Sequence, residues 1–189
     1  MMNRAVFFLS VLILVCARAA VAQNQGEVGV FANYFRFHNA NDLNMLGVGG
    51  RVSVNVKPHV VLEVEGAYDF EQTAHITVRG LTNPVRADFR ATHFLVGPQF
   101  TLGKGGPWRI YGTLKGGFVR FGVTPGAVTF ANFPTVLTNT DLNGVFYPAG
   151  GVEAFAGILG FRAEIGDEMF FANGANHNLR ITFGPAIRF

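Results

Sequence analysis

The feature that most restricts this chain is a two-residue rhythm. Apolar and polar residues alternate through one segment after another, and beyond residue 22 no stretch stays apolar for 18 residues in a row. Alternation at period two puts successive side chains on opposite faces of a strand. A helical membrane span needs about 20 consecutive apolar residues, so none is expected here. The pattern predicts strands near 26–37, 45–56, 59–70, 89–102, 108–121, 144–156, 160–170 and 178–189. Each is close to or longer than the roughly 9 to 11 residues with which a tilted strand crosses hydrocarbon. Lipid offers no hydrogen-bond partner to an open sheet edge, so strands of this kind can span a membrane only as a closed barrel.

The connections alternate in length. Lys57-Pro58, the stretch 103–107 and Gly157-Ile158-Leu159 are tight turns, whereas 38–44, 71–88, 122–143 and 171–177 are the other four connections and include the longest ones. Short turns at one end and longer loops at the other fit an up-and-down barrel, and an even strand number brings the last strand back beside the first. The expected fold class is therefore all-β, an eight-stranded antiparallel up-and-down transmembrane β-barrel. Pro98, Pro148 and Pro185 fall inside the strands, where a missing donor predicts local bulges.

Alternation alone does not say which face points inward. Val48, Val52 and Val54 share one face of the second strand and Gly47, Gly49, Arg51 and Ser53 the other; the third sets Leu62, Val64 and Tyr68 against Glu63, Glu65 and Asp69. A soluble barrel would bury the apolar set. A narrow eight-stranded interior instead favours the faces rich in Gly and Ala, with the bulky apolar faces turned to lipid. Aromatic residues near strand ends point the same way: Phe100, Trp108, Phe161 and Phe189 toward the short turns, and Tyr34, Tyr68, Phe70, Phe118, Phe146 and Phe170 toward the loops. The first strand is ambiguous. Val54 and Leu62 are expected near the bilayer midplane.

The first residues have the layout of a cleavable export signal: basic Arg4, an apolar run from Ala5 to Ala17, then Ala19, Ala20, Val21 and Ala22. The expected division is a signal peptide over 1–22 and a barrel domain over 23–189. Val15 before Cys16 argues against a lipoprotein cut. Losing Arg4 and Arg18 leaves 13 basic residues against 12 acidic ones, so no nucleic-acid partner is expected. Losing Cys16 removes the single cysteine, and with it any disulfide or thiolate metal site.

The polar faces place Arg51, Glu63, Glu65, Arg109, Lys115, Glu153, Arg162, Glu164, Arg180 and Arg188 inside, with His93 and Gln99 among them. Unpaired charges at that depth are costly, so a lumenal network of ion pairs is expected. No catalytic constellation is legible. Barrels of this size include lipid A deacylases with a His two residues before a catalytic Ser, but the one serine beyond the leader, Ser53, lies in Arg51-Val52-Ser53. His38, His59, His75, His93 and His177 lack metal-ligand spacing, and neither metal nor cofactor is expected. The loop 122–143 carries Val128, Phe130, Phe133, Val136 and Leu137; it is expected to fold over the barrel mouth or to meet a partner.

Several stretches resemble the outer-membrane β-barrel domain family, related to the N-terminal barrel of outer-membrane protein A. They are Phe94-Leu95-Val96-Gly97-Pro98-Gln99-Phe100 with Trp108-Arg109-Ile110-Tyr111 and Gly116-Gly117-Phe118, then Gly150-Gly151-Val152-Glu153, Phe161-Arg162-Ala163-Glu164 and the closing run Asn178 to Phe189. The resemblance implies a small porin-like barrel in a Gram-negative outer membrane with inward Glu65, Glu153 and Arg162 in a salt-bridge cluster. It also implies an assembly signal in Phe183, Ile187 and Phe189, read by the barrel-assembly machinery. The expected role is structural or surface-interacting and not enzymatic. Outer-membrane lipid and lipopolysaccharide are the expected surroundings, and loops 71–88 and 122–143 the places for a surface partner. A narrow pore for small solutes and a lipid A-modifying enzyme are the alternatives.

Overall fold

The computed structural model describes residues 26–38, 43–76, 85–102, 107–125, 142–172 and 174–189. The expected leader cut, the 103–106 part of one turn and most of loop 122–143 lie outside the described residues. The strands are β1 (Gly26–Phe37), β2 (Leu43–Lys57), β3 (Val60–Ile76), β4 (Val85–Leu102), β5 (Trp108–Pro125), β6 (Leu142–Ala156), β7 (Leu159–Asp167), β8 (Met169–Phe171), β9 (Ala175–Asn176) and β10 (Leu179–Arg188). Neighbours pair antiparallel in the order β5-β4-β3-β2-β1-β10-β7-β6, and β5 pairs with β6, which closes the ring. β8 continues β7 along β6 in the same register beyond Glu168 and carries β9 with it. The wall is thus a closed barrel of eight staves, as the strand rhythm predicts. No open edge remains among them.

Closure rests on the seam between β1 and β10. Glu27 stands opposite Arg188 and Arg36 opposite Leu179, and the Gly26 and Phe189 backbones exchange two hydrogen bonds of 2.9 and 3.0 Å. Strands β3, β4 and β5 run further toward the loop end than the sequence pattern indicates: residues 72–76 pair with 85–89, and β5 continues to Pro125. Part of the connections expected at 71–88 and 122–143 is therefore ladder.

The prolines are not bulges. Pro98 stays in register with Leu62, Pro148 with Leu114 and Pro185 with Phe161; each leaves the ladder incomplete only toward its other neighbour, where the missing donor falls. Gly97 and Gly184 precede two of them, and a Cβ on either would sit 2.1 Å from a carbonyl oxygen of the adjoining strand, Leu114 or Val30. The register shifts lie elsewhere, between Asn55 and Lys57 and between Asp69 and Gln72.

Side-chain burial assigns the faces. Val28, Val30, Val48, Val52, Val64, Val96, Ile110, Val152, Ile165 and Phe183 are exposed on the outside, while Arg51, Glu63, Glu65, Lys115, Arg162 and Arg180 are buried inside. The ambiguous first strand resolves with Glu27, Phe31, Asn33, Phe35 and Phe37 inward. Outward aromatics form two bands, Phe100, Trp108 and Phe161 toward the short turns and Tyr68, Phe70, Phe94, Phe118 and Phe146 toward the loops. Phe94 and Phe118 stack across β4 and β5 at 5.3 Å. Phe170, expected in the loop-side band, is instead fully buried in the lumen, because it keeps the even-numbered parity of Arg162 and Glu164; Phe171 faces out. Between the bands lie Val52, Val64 and Val96, paired side by side. Val54 and Leu62, paired with each other one outward step toward the short turns, are exposed on the same face.

Candidate functional site: the barrel interior

The lumen is built in three levels. At the loop end it is apolar. Phe37, Phe121 and Phe170 form a triangle with ring centroids 5.1 to 5.7 Å apart, and Phe35, Met45, Phe89, Leu95, Val119 and Val145 pack around them. The alternation of β1, β2, β4, β5 and β6, continued by Phe170 on β8, delivers these side chains inward. A polar interior throughout was the expectation; the upper part is instead a closed aromatic cluster.

Below it lies the charge network. Lys115 on β5 places its ammonium 2.7 Å from Glu63, 2.7 Å from Glu65 and 2.9 Å from Glu164, all fully buried. Arg162 on β7 makes a two-pronged contact with Glu63 and reaches Glu164 at 2.7 Å. Its Nε donates to the Tyr111 hydroxyl at 2.6 Å, which in turn donates to Glu164 at 2.9 Å, and its guanidinium lies over the Tyr111 ring. Arg180 on β10 bridges Glu65 at 2.7 Å and Glu168 at 3.2 Å and donates to Asn33 at 2.8 Å. At the boundary with the aromatic level, His93 touches Glu168 through Nδ1 at 2.6 Å and Asp69 through Nε2 at 2.9 Å, with Phe35 against its ring. Both ring nitrogens can donate at once only in the imidazolium form.

Charge-assisted contacts of this length are strong individually, and their sharing among several carboxylates is what makes deep burial of so many ions tolerable. The contacts cross the lumen. They tie β1, β3, β4, β5, β7 and β10 together, strands that the ladder alone connects only to immediate neighbours.

The third level, at the short turns, is looser. Arg188 lies 3.7 Å from Glu27 and 3.4 Å from Glu153, and Arg109 lies 3.7 Å from Glu153. A cavity of about 420 Å³ opens beside them, lined also by Ser53, Gln99 and His59.

Of the sequence-derived interior residues, Glu63, Glu65, Lys115, Arg162, Glu164 and Arg180 meet in the central level, and Arg109, Glu153 and Arg188 meet below it. Arg51 does not join by ion pairing. Its guanidinium rests 4.5 Å from the Phe31 centroid and donates to Thr182 at 3.5 Å, with no carboxylate in ion-pair reach among the described residues. Glu27 and Glu168 also belong to the interior although sequence reasoning did not name them there, and so does Asp69, which it set on the polar face of the third strand without counting it in the network. Asp69 continues the odd-numbered run of Glu63 and Glu65, and Glu168 the even-numbered run of Arg162 and Glu164, so parity carried a signal for both. For Glu27 it carried none, since β1 is apolar on both faces. Phe183 and Ile187 are exposed outward, and the Phe189 ring lies against Gly26 at the seam. Ser53 faces the short-turn cavity, and the described residues hold no group of three His, Cys, Asp or Glu arranged for a metal.

A closed eight-stave wall, apolar outside and ionic within, is the architecture of a membrane barrel. The family model for the outer membrane protein beta-barrel domain matches residues 7–185. The chain belongs to that family. Its outward valines and phenylalanines are accordingly the surface that meets the hydrocarbon of the outer membrane. Among solved structures, Neisserial surface protein A is similar with a TM-score of 0.58 at 10% identity, over 87% of this chain and 97% of that one. Ail, the attachment invasion locus protein of Yersinia pestis, crystallised with the heparin analogue sucrose octasulfate, is similar with a TM-score of 0.54 at 12% identity, over 87% and 97%. OprG of Pseudomonas aeruginosa gives 0.54 at 12%, over 89% and 97%. Likeness at these identities shows the shared fold. No curated protein matches the chain.

Proposed function

We infer that this family member is a structural or surface-interaction barrel whose lumen is closed to solutes, and not an enzyme. The observation that carries the reading is the Lys115 contact with three glutamates, capped toward the loops by the Phe37, Phe121 and Phe170 triangle. A solute crossing the lumen has to break several charge-assisted contacts and then part a packed aromatic layer. The network stiffens the wall, the outward apolar band matches the bilayer, and the loops around 71–88 and 122–143 carry whatever recognition the barrel performs. Outer-membrane lipid and lipopolysaccharide surround it. Export proceeds through cleavage after Ala22, and Phe183, Ile187 and Phe189 serve as the signal for the assembly machinery.

Recordings on the folded barrel in planar lipid bilayers are expected to show no large, stable conductance. A steady ohmic current that disappears on removing the protein contradicts the closed-lumen reading and favours a narrow pore. N-terminal sequencing of the outer-membrane form is expected to begin at Gln23. Loss of acyl chains from lipid A in cells overproducing the barrel, followed by mass spectrometry, supports the enzymatic alternative instead.

A further inference from the structure

The short-turn end of the lumen is built differently from the centre. Four of its charges form two cross-strand pairs: Glu27 on β1 stands opposite Arg188 on β10, and Arg109 on β5 opposite Glu153 on β6. Arg188 donates to Glu153 over a long 3.4 Å, and the Arg188–Glu27 and Arg109–Glu153 separations are 3.7 Å, whereas the Lys115 contacts lie at 2.7 to 2.9 Å. These ion pairs, and that of Glu27 with Arg162 at 3.9 Å, are all longer than those of the centre.

Three buried oxygens at this level, Glu27 Oε1, Glu153 Oε2 and Gln99 Oε1, have no hydrogen-bond partner among the described residues. All three residues line the cavity of about 420 Å³, a size within the roughly 300 to 1,000 Å³ common for small-molecule sites. Arg109, with 32% of its side chain exposed, offers donors to the same space. His59 also lines it, held at a φ of 70° that is costly for a residue with a Cβ.

Unfilled acceptors call for a donor-bearing, positively charged group. The adjoining guanidiniums call for an anion. A simple cation entering here meets Arg109, Arg188 and Lys57, and a simple anion meets Glu27 and Glu153, so either is opposed by like charges. A molecule with both charges a few bonds apart satisfies both halves at once. We propose that the short-turn mouth binds a small zwitterion bearing an ammonium and a carboxylate, a free amino acid or short peptide. The ammonium lies against Glu27 Oε1 and Glu153 Oε2, the oxygens not engaged by Arg188, and the carboxylate against Arg109. Because the central network blocks the way onward, this is a binding site and not a stage of permeation.

The test is a nuclear magnetic resonance titration of the folded, isotope-labelled barrel in micelles with the dipeptide Ala-Ala. N-acetylalanine and alaninamide serve as controls carrying a single charge. Ala-Ala is expected to give saturable shifts concentrated at Glu27, Gln99, Arg109 and Glu153, with each control much weaker. Arg109→Gln and Glu153→Gln, checked for folding by heat-modifiable migration, are each expected to weaken binding about tenfold, the loss of one charge-assisted hydrogen bond. Non-saturating shifts, equal responses to a singly charged control, or undiminished affinity in both folded variants each overturn the proposal. The wild-type titration decides the matter even if a variant fails to fold.

Discussion

Replacing Lys115 with Met probes the centre of the network with little change of volume. The ammonium is fully buried and serves Glu63, Glu65 and Glu164 together. After substitution Arg162 still holds Glu63 and Glu164, and Arg180 still holds Glu65, so each carboxylate keeps one cation. Each nevertheless loses a charge-assisted contact, and the cluster gains one net negative charge away from bulk solvent. Removing one partner from a buried ion pair costs about 3 to 5 kcal/mol, and the surviving arginines put the expected loss near the lower end of that range. Reversible urea unfolding in lipid vesicles measures it, with Trp108 as reporter. It is the only tryptophan in the chain and is 73% exposed on the lipid face, so its emission follows its transfer from lipid to water. Adding Glu65→Gln to Lys115→Met restores the balance of signs, and the double variant is expected to be at least about 1 kcal/mol more stable than the sum of the single effects. A single-variant loss below about 1 kcal/mol, or strict additivity in the double, refutes the claim that the ions are mutually compensating.

Other parts of the structure yield simpler tests. Val64→Arg, midway between the aromatic bands, should cost about 2 to 4 kcal/mol in bilayers; a loss below about 1 kcal/mol sinks the assignment of the outer face to lipid. Gly184→Ala drives a Cβ to 2.1 Å from the Val30 carbonyl oxygen and should destabilise the seam by about 1 to 3 kcal/mol, whereas Gly144→Ala, with no atom within 4 Å, should be tolerated. Equal melting behaviour of the two alanine variants contradicts the packing at the seam. Tyr111→Phe leaves Arg162 Nε and Glu164 each short of a hydrogen bond and should cost about 1 to 3 kcal/mol by the same urea assay.

The alternation of β2, β3 and β10 was enough to specify strands, their approximate ends and, through the contrast of Val with Glu and Arg, the face turned to lipid. Period two is a local property, and a charged residue cannot share a face with hydrocarbon, so these conclusions need no coordinates. The same reasoning grouped Glu63, Glu65, Lys115, Arg162, Glu164 and Arg180 inside. It could not say which would touch, because contact across a lumen depends on stagger between strands far apart in the chain, 131 residues for Arg51 and Thr182. That stagger put Lys115 among three glutamates and left Arg51 over the Phe31 ring.

Where both faces of a strand are apolar the sequence loses its sign. β1 carries Val28, Val30 and Tyr34 on one face and Phe31, Phe35 and Phe37 on the other, and only pairing with β2 and β10 decided that the phenylalanines fill the loop end of the barrel. Phe170 was decided the same way, by continuation of the β7 parity through Glu168 into β8. The strand rhythm, read with the small residues of the polar faces, pointed to a closed wall with lipid outside. The register of its eight staves determined which buried groups meet, since interior partners are chosen by three-dimensional offset and not by distance along the chain.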